Sequence, residues 1–203
     1  MSNTKKLFPE IIYETVVENA DEINAEFEKI LFNDDLFTVN SKWNCIVETS
    51  KTNARSFPWN VFLESTVQQH LLPFIETQLQ PKFDIDIMLR GVWCNRYKKN
   101  YYQELHNHVA PNHHFSCNYI VKTDKDCGDF LIKNEKFDTL TSLGISGFLD
   151  YEKEFYTANN VPGNLIIFPS YLKHLVTANQ TDNLRATISA NFEIVSKSAI
   201  FLG

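Results

Sequence analysis

The sequence has no apolar run approaching the roughly 18 residues of a membrane span, so no transmembrane helix is expected. Its opening, Met1 to Lys6, is polar and lacks the apolar core of a secretion signal. No CxxC pair occurs among the four cysteines at 45, 94, 117 and 127, which argues against a zinc knuckle. Buried free thiols are the expectation instead, in a protein that works in the cytoplasm. A basic excess is missing too: 19 Lys and Arg stand against 25 Asp and Glu, for a net charge of −6. Such a chain offers no phosphate-neutralising surface, so neither nucleic acid nor membrane is expected as a partner. No repeat or low-complexity tract interrupts it.

Aromatic residues are plentiful, with 16 Phe, 8 Tyr and 3 Trp, and they favour a strand-rich core. A length of 203 residues fits one domain spanning 1–203. Two amphipathic helices are predicted in the first third. One is capped by Asn19, with Asp21 and Glu22 in its first turn and Ala20, Ile23, Phe27, Ile30 and Leu31 as its stripe. The other opens at Ser56 with Pro58 in its first turn, carries Leu63, Val67, Leu71, Phe74 and Ile75, and is kinked or interrupted at Pro73. Both stripes are assigned to packing on one face of a sheet.

From Asp84 the period changes to two. Ile85, Ile87 and Leu89 alternate, and the strand runs on through Val92 and Trp93. Further strands are predicted at 115–122, 129–133, 164–168, 174–178 and 185–194, separated by turn-forming clusters. This order predicts a mostly β fold with flanking helices: a jelly roll of about 84–195 buttressed by a helical segment of about 1–83. In the last strand Arg185, Thr187, Ser189 and Asn191 share one face, while Ala186, Ile188, Ala190 and Phe192 share the other. The polar face is either solvated or lines an interior pocket. The stretch 134–160 is long for a hairpin connection and could form a lid.

Of six histidines, His70 falls within the second helix, and His113 and His114 follow Ala110-Pro111-Asn112 in a loop. His106 and His108 are alternate residues of an extended segment, so they project to one side and can grip one ion. His174 lies on a strand that a jelly roll can fold back beside them. Arg185 follows it eleven positions later, enough for one strand, a turn at Gln180–Asn183 and a return. A buried guanidinium needs an anion, and its planar fork matches a carboxylate. A metal with an arginine one dicarboxylic acid away is the minimal site for a chelating keto acid.

The run from Arg96-Tyr97 to His106-Asn107-His108 resembles the prolyl-4-hydroxylase-type segment RYxxGxxxxxHxD. Pro162-Gly163-Asn164 through His174 resembles that family's strand-turn-strand run into its distal histidine, and Asn179 with Arg185 to Asn191 completes the pattern. With its His-x-His and Ser116 through Val121, residues 84–195 look most like the 2-oxoglutarate/iron(II) oxygenases of marine bacteria and phages. The resemblance implies a double-stranded β-helix (jelly roll) that binds iron(II), 2-oxoglutarate and O2. It implies hydroxylation of a peptide or protein side chain, or of a small molecule, with release of succinate and CO2. For a phage-encoded chain the compartment would be the host cytoplasm.

Position by position, the resemblance implies His106, His108 and His174 as metal ligands and Arg185 as the partner of the far 2-oxoglutarate carboxylate. Thr187 would be a second donor there, and Tyr97 and Asn118 would face the same co-substrate. No catalytic residue is implied beyond the metal centre. Two positions depart from the family pattern. Asn100 stands for the usual glycine, and His108 stands where an aspartate or glutamate ligand belongs. His108 either completes a three-histidine face or sits behind iron held by two histidines; Glu104 precedes the pair instead of following it. Two rivals remain open on the residues alone: a cupin-like three-histidine dioxygenase using no keto acid, and a non-enzymatic jelly-roll module.

Overall fold

The strand alternation that begins at Ile85 changes phase at Arg90, and this change builds one wall of the interior. In the computed structural model, which describes residues 10–50, 57–148 and 153–197, Ile85–Tyr97 is a single long strand, β4. It pairs antiparallel with Arg185–Ser196 (β11), Gly91 opposing Asn191 and Leu89 opposing Phe192, so Arg90 is an extra residue in the ladder. Such a bulge reverses which face the following side chains take. Ile85 and Ile87 therefore pack on the helix side, as do Val92 and Cys94 beyond the bulge. Trp93, Asn95 and Tyr97 turn to the opposite face and line a cavity.

Seven strands form the larger sheet, in the order β1 (Tyr13–Val16), β9 (Asn164–Pro169), β6 (Phe115–Lys122), β11, β4, β3 (Glu48–Ser50), β2 (Phe37–Val39). A four-stranded sheet faces it: β5 (Gln103–His106), β10 (His174–Val176), β7 (Phe130–Lys133), β8 (Phe155–Thr157). This is the jelly roll, and all its ladders are antiparallel.

The outer face of the larger sheet carries the main core. Cys117, Tyr119, Leu165, Ile167, Ala186 and Ile188 meet Ile23 and Phe27 of α1 (Ala20–Glu28) and Phe62, Leu71 and Ile75 of the second helical run. Burying these side chains is worth about 1.5–3 kcal/mol each for the large aliphatics and phenylalanines. It fixes the sheet from outside and leaves the inner face free for polar groups. A smaller apolar cluster, with Val47, Phe130, Ile132, Ile166, Phe168 and Val176, closes the space between the sheets.

Asn19 occupies the N-cap position of α1 as expected, but its side chain makes no capping hydrogen bond. The second helix starts at Trp59, with Pro58 at its cap; Ser56 lies outside the described residues. Pro73 does not break it. Helical backbone continues from α2 (Trp59–Leu63) through Glu64–Leu71, α3 (Leu72–Phe74) and Ile75–Leu79, the second and fourth pieces in wide π turns. Bonds reaching five residues back spread the inward positions, so Phe62, Thr66, Leu71 and Ile75 are buried at spacings of four and five.

The first third is not purely helical. It adds β1 to one edge of the larger sheet and β3 and β2 to the other. Part of the long connection is strand as well: β8 pairs with β7 after the short helix α4 (Phe137–Ser142). Gly128, at φ +93°, makes the close turn before β7, where a Cβ would lie 2.4 Å from the Thr177 carbonyl oxygen. Asn100 adopts φ +67°. Asparagine tolerates this left-handed conformation better than other side-chain-bearing residues, so it meets the backbone demand that a glycine would.

Candidate active site

β5 and β10 are neighbours in the smaller sheet, and their register sets His106 opposite His174. His108 follows β5, with its N–H donating to the Ser170 carbonyl at 2.9 Å. The three imidazoles converge, each offering one ring nitrogen within 4.8 Å of the others.

The other ring nitrogens show which atoms face inward. His106 Nδ1 lies 2.7 Å from the Glu104 carbonyl oxygen, and His174 Nδ1 lies 3.0 Å from that of Leu172. His108 Nδ1 lies 2.8 Å from Asn191 Oδ1. Carbonyl oxygens only accept, so each Nδ1 carries the proton and each Nε2 keeps its lone pair. Two of those lone pairs, on His106 and His108, are 3.2 Å apart. That is repulsive without a cation, yet close to the roughly 3.0 Å between nitrogens bound at right angles to one metal at about 2.1 Å. Metal-binding histidines characteristically donate the remaining N–H to an oxygen. The donor set fits a metal.

Burial keeps the His108 and His174 rings neutral. It is the main cause that pushes His108 down to about 4, with His106 adding to it, and it holds His174 well below the ordinary histidine value. Glu104, the nearest carboxylate on the same strand, is turned to the Gln103 amide at 2.6 Å.

The cavity in front of the histidines measures about 610 Å3 and is lined by Trp43, Trp93, Tyr97, Glu104, Asn118 and Ser189 among others. Arg185 and Thr187 are not on its wall. They lie deeper on the same β11 face, Arg185 opposite Tyr97 and Thr187 opposite Asn95. Arg185 is fully buried and makes no ion pair among the described residues. Its Nη1 donates to Thr123 Oγ1 at 3.0 Å and to Asn160 Oδ1. Nε and Nη2 have no partner, and neither has Thr187 Oγ1. A buried cation with two idle donors is costly unless an anion joins it. The turn that delivers Arg185 is tied by Asn179, whose Nδ2 donates to the carbonyls of Tyr97 at 2.9 Å and Asn183 at 2.7 Å. Burial raises the Tyr97 phenol, with Arg185 opposing it, so the hydroxyl stays protonated.

His70 is half-buried against the Tyr13 hydroxyl at 3.0 Å, away from this centre. His113 is adjacent to it, with Nδ1 3.3 Å from Asn191 Nδ2, and His114 Nδ1 accepts the Ile194 N–H at 3.0 Å.

Residues 91–191, about half of the chain, match the family described as "Putative 2OG-Fe(II) oxygenase". The chain belongs to the 2OG-Fe(II) oxygenases. The match runs from the bulge of β4 to Asn191 and so takes in the three histidines and Arg185. The enzyme is therefore an oxygenase of the iron(II) and 2-oxoglutarate class, which decides against both the cupin-like reading and the non-enzymatic module.

No curated protein matches this oxygenase in sequence. Among solved structures it resembles a Pseudomonas putida prolyl-4-hydroxylase at 13% identity and TM-score 0.63, over 91% of this chain and 92% of that one. A Trichoplax adhaerens prolyl hydroxylase, solved with a hypoxia-inducible-factor peptide, gives 14% and 0.62 over 90% and 83%. HygX from Streptomyces hygroscopicus, with nickel and 2-oxoglutarate bound, gives 11% and 0.60 over 91% and 83%. At these identities the likeness establishes the jelly-roll fold.

Proposed function

We propose that His106, His108 and His174 hold iron(II) through Nε2, and that 2-oxoglutarate reaches from this metal to Arg185. The observation that carries the reading is the convergence of three lone pairs whose rings are each locked by a bond at Nδ1. Bound together, iron(II) and 2-oxoglutarate would supply, with O2 as the oxidant, the hydroxylation of an unactivated C–H bond, one oxygen atom going to the product and the other to succinate as CO2 leaves.

The chain's own residues hold and orient. Arg185 offers Nε and Nη2 to the far carboxylate, and Thr187 Oγ1 adds a third donor. Tyr97 and Asn118 border the keto acid along the cavity wall. Three neutral imidazoles leave the metal's two charges to be balanced by the two carboxylates of the co-substrate, and Arg185 then makes the site net positive by one. The buried Arg185 end excludes water from the anion.

A peptide or protein side chain, or a small molecule of similar girth, fits the remaining space, whose outer wall is Trp43, Trp93 and Asn107. The Trichoplax neighbour binds a peptide, and a second HygX structure holds hygromycin B; either class suits a cavity of about 610 Å3. Four buried free cysteines fit a reducing compartment, and we place the enzyme in the cytoplasm.

The test is succinate formation from 2-oxoglutarate with iron(II), ascorbate and oxygen, in wild type beside His174→Ala. Turnover confined to wild type is the expected result. Equal succinate from both, or iron bound equally by both, would remove His174 from the centre.

A further inference from the structure

His106 and His174 take their tautomer from the backbone, each through the carbonyl two residues earlier in the chain. His108 has no such arrangement; its Nδ1 faces side chains. Asn191 Oδ1 lies 2.8 Å away and Ser116 Oγ 3.0 Å away. A carboxylate at this position would have no tautomer to settle. An imidazole has two, and only the one protonated at Nδ1 leaves Nε2 free.

Ser116 cannot decide between them, because a hydroxyl donates as readily as it accepts. Asn191 can, provided that its amide is held one way round. The structure turns Oδ1 toward His108, with Ser116 Oγ also 2.8 Å from it, and turns Nδ2 away toward His113 Nδ1 at 3.3 Å. Ser116 is in turn bonded to Ser170 at 2.8 Å. Asn191, Ser116 and Ser170 are 6%, 0% and 2% exposed, so water offers little competition. Reversed, the amide would donate to His108 Nδ1, move the ring proton to Nε2 and close the lone pair.

We infer that Asn191, through the contact of its Oδ1 with His108 Nδ1, is the positioning residue that makes His108 a metal ligand. This deepens the three-histidine reading and rests on it. The register supports the assignment: Asn191 pairs with Ser116 across β11 and β6, and both side chains reach His108 Nδ1.

The experiment uses Ni(II) binding under anaerobic conditions and nitrogen-15 NMR of histidine-labelled, metal-free protein. The His108 signal is assigned by its loss in His108→Gln. Wild type should show His108 protonated at Nδ1. Asn191→Ala should weaken Ni(II) binding about 10- to 100-fold and lose the single tautomer. Asn191→Asp still accepts the Nδ1 proton, so it should restore both. A role in stability alone would lower melting temperature in both variants without that contrast. Wild-type His108 protonated at Nε2, or wild-type Ni(II) affinity in Asn191→Ala, would overturn the inference. Should Asn191→Ala fail to fold, the wild-type tautomer and the Asn191→Asp affinity decide. Loss of Ni(II) in His174→Ala but not in Asn191→Ala would sink this inference and spare the metal centre; no Ni(II) in wild type would sink both.

Discussion

Arg185→Ala is the sharpest probe of the co-substrate assignment. The wild-type guanidinium is fully buried, two of its donors are idle, and its present partners are the neutral oxygens of Thr123 and Asn160. Its far carboxylate contact would thus be charge-assisted, two-pronged and dry. Truncating one side of such a pair costs about 2–5 kcal/mol, or about 30- to 4,000-fold in affinity at 1.4 kcal/mol per decade. Arg185→Lys keeps the charge but presents a point instead of a fork, so its loss should be intermediate. Metal binding should persist in both, since no guanidinium nitrogen belongs to the histidine cluster. The assay is anaerobic titration of 2-oxoglutarate into the Ni(II)-loaded protein by calorimetry. Equal affinity in wild type and both variants would refute the pairing and leave the two idle donors without an explanation.

Three further outcomes are expected. His108→Ala should lose most metal affinity while His108→Asp retains it, measured by Ni(II) titration; normal binding by His108→Ala would mean that iron is held by two histidines. Because burial lowers His108 to about 4 and holds His174 well below the ordinary histidine value, the unfolded chain binds protons there that the folded chain refuses from about pH 6.5 downward. The metal-free protein should therefore lose stability as pH falls from about 6.5 towards 4, with a shallower slope in His108→Gln; identical melting-temperature slopes would contradict the depressed value. Gly128→Ala should cost about 1–3 kcal/mol in urea unfolding, because φ +93° and the Thr177 carbonyl leave no place for a Cβ; an unchanged midpoint would show that the turn yields.

Much of this site was legible because its residues obey short periods. His106 and His108 share a side by strand alternation, and Arg185 to Asn191 alternate with Ala186 to Phe192 without a break. What escaped depends on partners distant in sequence. Asn191 reads as one more polar residue on that face, and only the fold shows it under His108, 83 positions away. Strands β1, β2 and β3 are three or four residues long and carry Glu14, Thr15, Glu48 and Thr49, too short and polar for an alternating signal. Arg90 hides a bulge that no composition marks, and so periodicity could not assign Trp93 and Asn95 to the cavity, while Tyr97 came only from the family resemblance. Pro73 misled because it falls at the second position of the short α piece Leu72–Phe74, just after a π-turned piece, where a missing N–H disturbs the helix least.

Both faces of β11 are committed along Arg185–Phe192. Every residue of that stretch is buried, half against the helices and half toward the interior that holds the histidine cluster. A change there must disturb either the scaffold or the chemistry, so this strand has almost no latitude for drift towards new substrates. The freedom to diverge is pushed to the rim, to Trp43 before β3, Asn107 beyond β5, and the connection leading to Asn160. Asn160 makes that last route double-edged, since the connection that could reshape the entrance also touches the guanidinium. Lineages descended from such a fold would be expected to diversify around the entrance while the strand beneath it stays put.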